Sequence, residues 1–229
     1  MRAIDAAPLD LLVGIERQKA ALLDNLRRHA AGFAAHDALL WGARGTGKSA
    51  LVRSAVTALG KDAPALVQVA VESLGDLPRL FEELGTIERR FVLLVDDIGF
   101  ENARDPAARA LRSVLEGSIV ARPPNIRLAV TANRRAIVAR EQAEQDGSLN
   151  ERDAVDDALA LADRFGLVLG FHAMNQEDYL AAVAVAAAHY RLNYEVADAL
   201  EWAKKRGARS GRVARAFIIE IAGKAGRSV

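Results

Sequence analysis

The chain has no cysteine, which excludes disulfides and thiolate metal sites. It also lacks an excess of either charge. Lys and Arg number 31 against 30 Asp and Glu, a formal net charge of +1. That balance argues against a dedicated polyanion binder and against an acidic disordered tail. No apolar run is long enough for a bilayer, since the longest, Leu180 to Ala188, is short and Ala-rich. Met1-Arg2-Ala3-Ile4-Asp5 carries an early acid and no apolar h-region, so no signal peptide is expected. A cytoplasmic protein with no membrane partner is the expectation. The histidines at 29, 36, 172 and 189 have no metal-ligand spacing and are expected in surface or core roles. What is present is 229 residues, 51% of them hydrophobic. That can fill the core of one sizeable domain, or of a domain with a small appendage.

The chain is organised around residues 38–49. Ala38-Leu39-Leu40-Trp41 is a short apolar run that reads as a buried strand. Gly42-Ala43-Arg44-Gly45-Thr46-Gly47-Lys48-Ser49 then fits G-x-x-x-x-G-K-[ST], the phosphate-binding loop, and Ala50 to Val56 continue with helical spacing. A triphosphate needs many donors converging from one side, and backbone N–H groups curled into a nest supply them. Glycines at 42, 45 and 47 permit the backbone angles and the close approach. The following helix points its N-terminal N–H groups at the phosphates. Lys48 adds a point charge for the β and γ phosphates, and the Ser49 hydroxyl is placed to ligate Mg²⁺. ATP and Mg²⁺ are the cofactors expected.

Apolar strands recur at Ala65–Val71, Phe91–Asp97, Ile126–Thr131 and Gly166–Phe171, with helical periodicity between them. Helices are expected at Glu16–Ala31, ended by Gly32, within Ser73–Leu84, at Pro106–Gly117 and at Leu159–Arg164. In the first, Ile15, Ala20, Leu22, Leu23 and Leu26 share the apolar face. Residues 143–157 are the most polar stretch. Beyond Asn175, whose pairing with Asp178 is an N-cap signal, only helical patterns remain: Tyr179–His189, Tyr194–Arg206 and Ser210–Ala222. Strands alternating with helices predict a parallel sheet covered on both faces, an α/β core over 1–172, with a helical domain over 173–229. Ligands in such sheets sit at the carboxyl ends of strands, where both the phosphate loop and Asp96-Asp97 fall.

Several residues complete the expected site. Asp96 ends an apolar strand and is placed to hold Mg²⁺ through water, opposite Ser49. Asp97 or Glu101 is the candidate to polarise the attacking water. Asn133, just after the fourth strand, is placed to orient water near the γ-phosphate. Arg164, taken alone, reads as a partner of Asp163 or another nearby acid. Delivered onto a neighbouring subunit's γ-phosphate, it would stabilise transition-state charge. Lys204, Lys205, Arg206, Arg209, Arg212 and Arg215 form an acid-free basic run. It reads as a solvated face, as a nucleic-acid contact, or as the source of one arginine, Arg212, folding back onto the nucleotide. Only Trp202 offers a stacking surface there, which disfavours nucleic acid.

Together these residues resemble the AAA+ ATPases. Gly42–Ser49 is similar to Walker A and Val95-Asp96-Asp97 to Walker B. Asn133 resembles sensor 1, Arg164 the trans-acting arginine finger, and Arg212 in Ser210-Gly211-Arg212 sensor 2. Val13-Gly14-Ile15 looks like the segment that packs on the adenine. More narrowly, Leu40 to Ser49, Gly75-Asp76-Leu77-Pro78, Ser113 to Gly117, Thr131 to Arg135 and Asp163 to Leu167 resemble a bacterial AAA+ family of predicted ATPases of unknown function. The resemblance implies a P-loop NTPase three-layer sandwich with strand order 5-1-4-3-2 and a helical lid. It implies contacts to nucleotide from Ala43 through Ala50, and a homo-oligomer in the ATP state acting on an unknown protein client. Aspartate at 97, where the family more often has glutamate, leaves open whether the protein hydrolyses ATP or mainly gates binding with it.

Overall fold

The structure, a computed structural model, describes residues 4–98, 106–116, 122–133 and 162–229. Five strands form one parallel sheet: β1 Ala38–Gly42, β2 Ala65–Val69, β3 Phe91–Ile98, β4 Ile126–Asn133 and β5 Leu167–Phe171. Their order is β2-β3-β4-β1-β5, the expected 5-1-4-3-2 counted from the other edge. β1 sits inside the sheet, with Gly42 level with Asn133 on one side and Phe171 on the other.

The strands are apolar on both faces, as burial on both sides requires. Leu39, Leu93, Val95, Leu128 and Val130 face α3 (Leu77–Gly85) and α4 (Pro106–Glu116). Leu40, Val92, Leu94 and Ala129 face α1 (Glu16–Ala30) and α2 (Lys48–Ala58). Three layers result.

Some element edges differ from expectation. β2 stops at Val69, and Val71–Asp76 winds into a 3-10 helix before α3. Within 159–164 only 162–164 are described, and Asp163 and Arg164 form a turn. On α1, Ala20 is exposed while Asn25 and His29 are buried. The buried face carries two polar residues, each bonded to the backbone: the Asn25 amide pairs with the backbone N–H and C=O of His36, and His29 Nε2–H donates to the Phe91 carbonyl at 3.0 Å. Apolar periodicity alone cannot register that.

Three helices follow β5: α5 Gln176–His189, α6 Val196–Lys205 and α7 Gly211–Lys224. They enclose their own core around Tyr179, Val183, Phe217 and Ile218. Burying each such side chain contributes roughly 1.5–3 kcal/mol. Asn175 caps α5 in a reciprocal box with Asp178, and Ser210 caps α7 through Val213 N–H. Among the described residues no helix is long and apolar enough to cross a membrane.

Candidate functional site

β1 ends at Gly42, whose φ of 139° and contact with β5 admit no side chain. A Cβ there would lie 2.0 Å from the Phe171 carbonyl oxygen. The chain leaves the sheet through this gap, turns over residues 43–47, and enters α2 at Lys48 with Gly47 at φ 93° as its cap. Thr46 Oγ1 closes the turn onto the Ala43 carbonyl at 2.8 Å. Ser49 and Ala50 follow in the first turn of α2, half-buried.

Lys48 is 7% exposed. Its Nζ donates to the carbonyls of Gly42 and Ala43 at 2.9 and 2.8 Å and reaches Asn133 Oδ1 at 3.4 Å. Burial pushes its ammonium below the usual lysine range; Asp97 and Asp96 pull it back up, and Arg44 and Arg212 push it down.

The acids arrive from β3. Ser49 Oγ donates to Asp96 Oδ1 at 2.5 Å, so the residues expected on opposite sides of a cation touch directly. Asn133 Nδ2 donates to Asp97 Oδ1. Asn133 therefore joins Lys48 to Asp97 across three elements, and Asp97 itself sits at φ 61°. Glu101 lies outside the described residues.

The helical segment closes over the loop. Gly211 N–H donates to the Gly45 carbonyl at 3.0 Å. Gly45 has φ 75°, and a Cβ there would meet the Ser210 side chain at 3.0 Å and Arg212 Cβ at 3.8 Å. Arg212 is thus brought beside the loop. Ile15 reaches the other flank, its Cδ1 lying 3.9 Å from where a Gly47 Cβ would be, while Gly14 lies beside the Asp178 carboxylate and Val13 packs on the helical core. A cavity of about 1000 Å³ opens between the loop and the lid helices, lined by Arg44, Gly45, Met174, Lys204, Arg209 and Arg212 among others.

Arg164 is not brought to this cluster. It is exposed, just before β5, at the end of the sheet away from the loop. The rest of the basic run is divided: Lys205 pairs with Glu201 at 2.6 Å and Arg206 stacks on Trp202. Trp202 is thereby covered.

Thr131 is absent from the residues expected at the site, yet it lies 1% exposed between the two acids. Its Oγ1 donates to Asp96 Oδ1 at 2.6 Å and accepts from Asp97 N–H at 2.8 Å. A polar residue breaking the apolar run of β4 is the signal that points to it.

The donor set suits a hard cation. Among the described residues no three His, Asp or Glu side chains cluster as a self-sufficient metal site. A carboxylate in contact with a hydroxyl beside a phosphate loop matches the way Mg²⁺ is held, by one or two carboxylates together with substrate phosphates.

Over residues 1–225 the chain matches the family described as Protein of unknown function (DUF815). No curated protein matches it. Among solved structures it is similar to a point mutant of Thermotoga maritima RuvB, at 22% identity and TM-score 0.60, over 95% of this chain and 64% of that one. It is also similar to the Aeropyrum pernix ORC1 protein in complex with DNA, at 15% identity and TM-score 0.62, over 98% and 66%. The Thermotoga maritima RuvB Holliday junction branch migration motor aligns at 15% identity and TM-score 0.52, over 94% and 72%. The chain spans less than two thirds of the RuvB mutant's length, and at these identities the likeness is one of fold. The chain belongs to the DUF815 family and carries the AAA+ fold.

Proposed function

We propose that this protein binds ATP with Mg²⁺, hydrolyses it, and couples the nucleotide state to loading or remodelling a protein partner. The observation that carries this is the meeting of Lys48, Ser49, Asp96, Asp97 and Asn133 at the carboxyl ends of β1, β3 and β4. In this reading the backbone of 43–50 cradles the phosphates, and Ser49 and Asp96 hold the cation. Val13, Gly14 and Ile15 receive the base, and Arg212 reports the γ-phosphate to the lid. Bound Mg²⁺, held by Ser49 and Asp96, would neutralise charge developing on the phosphates. The core spans 1–172 and the lid 173–229, in keeping with their separate apolar clusters.

Arg164 acts on a neighbouring copy. A five-residue strand separates it from its own loop, roughly 16 Å at about 3.3 Å per residue, farther than an arginine side chain extends. A homo-oligomer with shared sites follows from that reading. The test is steady-state ATP turnover. Lys48→Ala should abolish it, and Arg164→Ala should lower it by roughly 10³-fold or more. Full turnover by Arg164→Ala at every protein concentration would refute the shared site.

A second reading, ATP-gated binding with little hydrolysis, is favoured by one contact: the Asp97 carboxylate is engaged by Asn133. ATP retained without turnover, with candidate partners added, would select it. DNA is a less favoured partner, since Lys205 pairs with Glu201, Arg206 stacks on Trp202, and Lys204, Arg209 and Arg212 line the cavity, which leaves Arg215 alone of the basic run outside these contacts. No gel shift is expected even at low salt, where phosphate contacts are strongest.

A further inference from the structure

We propose that Thr131 is the positioning residue for the cation half of this site. The inference rests on the ATP–Mg²⁺ reading above and adds a residue to it.

β3 and β4 pair at Val95↔Val130 and again at Ile98↔Ala132, so Asp96 and Asp97 together oppose the single Thr131. One extra residue in one strand is a β-bulge, a device that re-aims side chains next to functional sites. The bulge holds Asp97 at φ 61°, a conformation that non-glycine residues seldom adopt. Ladder pairing is interrupted here, so the Asp97 N–H needs another acceptor.

Thr131 provides it. A threonine hydroxyl has one proton and two lone pairs. A lone pair takes the Asp97 N–H at 2.8 Å, and the proton goes to Asp96 Oδ1 at 2.6 Å. One buried side chain therefore clamps the backbone of the second acid and the carboxylate of the first. Ser49 Oγ donates to the same Asp96 oxygen at 2.5 Å. Both hydroxyl protons are committed to Oδ1, which sets the carboxylate plane and leaves the Ser49 lone pairs to face a cation. Without the Thr131 hydroxyl, Asp96 Oδ1 keeps only its bond from Ser49, and the Asp97 N–H loses its acceptor.

The test compares Thr131→Val, which keeps the shape and removes the hydroxyl, with Thr131→Ser, which keeps the hydroxyl. Mn²⁺ is titrated into the ATP-loaded full chain and its protein-bound signal followed by electron paramagnetic resonance, with Mn²⁺ and ATP alone as the blank. ATP binding is measured separately in EDTA by calorimetry. Thr131→Val should weaken Mn²⁺ binding about tenfold or more, the scale for losing a bond to a charged group. It should leave ATP binding in EDTA within about twofold of wild type, and Thr131→Ser should restore Mn²⁺ binding. If Thr131→Val does not melt cooperatively, Thr131→Ala takes the same test without filling the site. Mn²⁺ affinity unchanged in the hydroxyl-free variant overturns the clamp alone, as does a serine variant as weak as valine. A wild-type protein that binds no Mn²⁺ with ATP overturns both the clamp and the function proposed above.

Discussion

His29 ties the end of α1 to the start of β3 through the Phe91 carbonyl, and its titration is measurable. Burial is the leading cause that pushes its pKa from 6.5 down to about 4, with Arg127 and Arg90 adding to the fall and the Phe91 bond opposing it. The folded pKa lies below the unfolded one, so the unfolded chain binds more protons between those values. Stability is therefore intact above pH 6.5 and falls as pH drops toward 4, by roughly 3 kcal/mol at about 1.4 per unit. Urea unfolding across that window should show the loss in wild type. In His29→Gln, which keeps a donor for Phe91, the slope should be shallower by that amount. A second buried group, Asp37, accepts from Leu128 N–H at 2.8 Å and pairs with Arg122 at 2.6 Å. Asp37→Ala should cost about 3–5 kcal/mol in unfolding free energy, because it strands a partly buried guanidinium.

At the scale of elements, the joint between loop and lid decides most. α7 begins against Gly45 through the Gly211 bond, and Ser210 fills the space where a side chain on residue 45 would go. Gly45→Ala forces a left-handed conformation on a residue with a Cβ, at about 1–2 kcal/mol, and pushes on Ser210. Reduced stability together with weaker ATP binding is the expected result in parallel denaturation and calorimetry. Asn175→Ala removes one half of the α5 capping box. It should lower stability by about 1 kcal/mol while leaving ATP affinity near wild type. If both variants affect ATP binding equally, the lid touches the nucleotide through more than its joint at Gly45.

At the scale of the whole molecule, the core and lid should respond to nucleotide together. ATP with Mg²⁺ at about 100 times its dissociation constant should stabilise the fold by about 2.7 kcal/mol by mass action, and Lys48→Ala should remove the shift. Thermal unfolding with and without EDTA measures it. The sheet was legible in advance because each strand is a short apolar run bounded by glycine, proline or charge; β1, β3 and β5 lie within one residue of their expected limits, while β2 stops two residues short at Val69 and β4 runs two residues past Thr131, so that Asn133 is its last residue rather than the one after it. Lys48 and Ser49 were legible because the phosphate loop is local, a run of residues whose spacing survives any tertiary arrangement.

Local chemistry is what the sequence by itself determined: a glycine-rich turn between strand and helix, acids closing an apolar strand, and a helical tail with capping residues. Each follows from neighbours along the chain. Tertiary structure alone decided that one hydroxyl on β4 holds both acids of β3, that Asn133 spans from Lys48 to Asp97, and that α7 rests on Gly45. Those partners stand tens of residues apart, and their pairing depends on strand order and on a one-residue bulge. Neither leaves a periodic trace, because register is set by packing across the sheet rather than by composition along it.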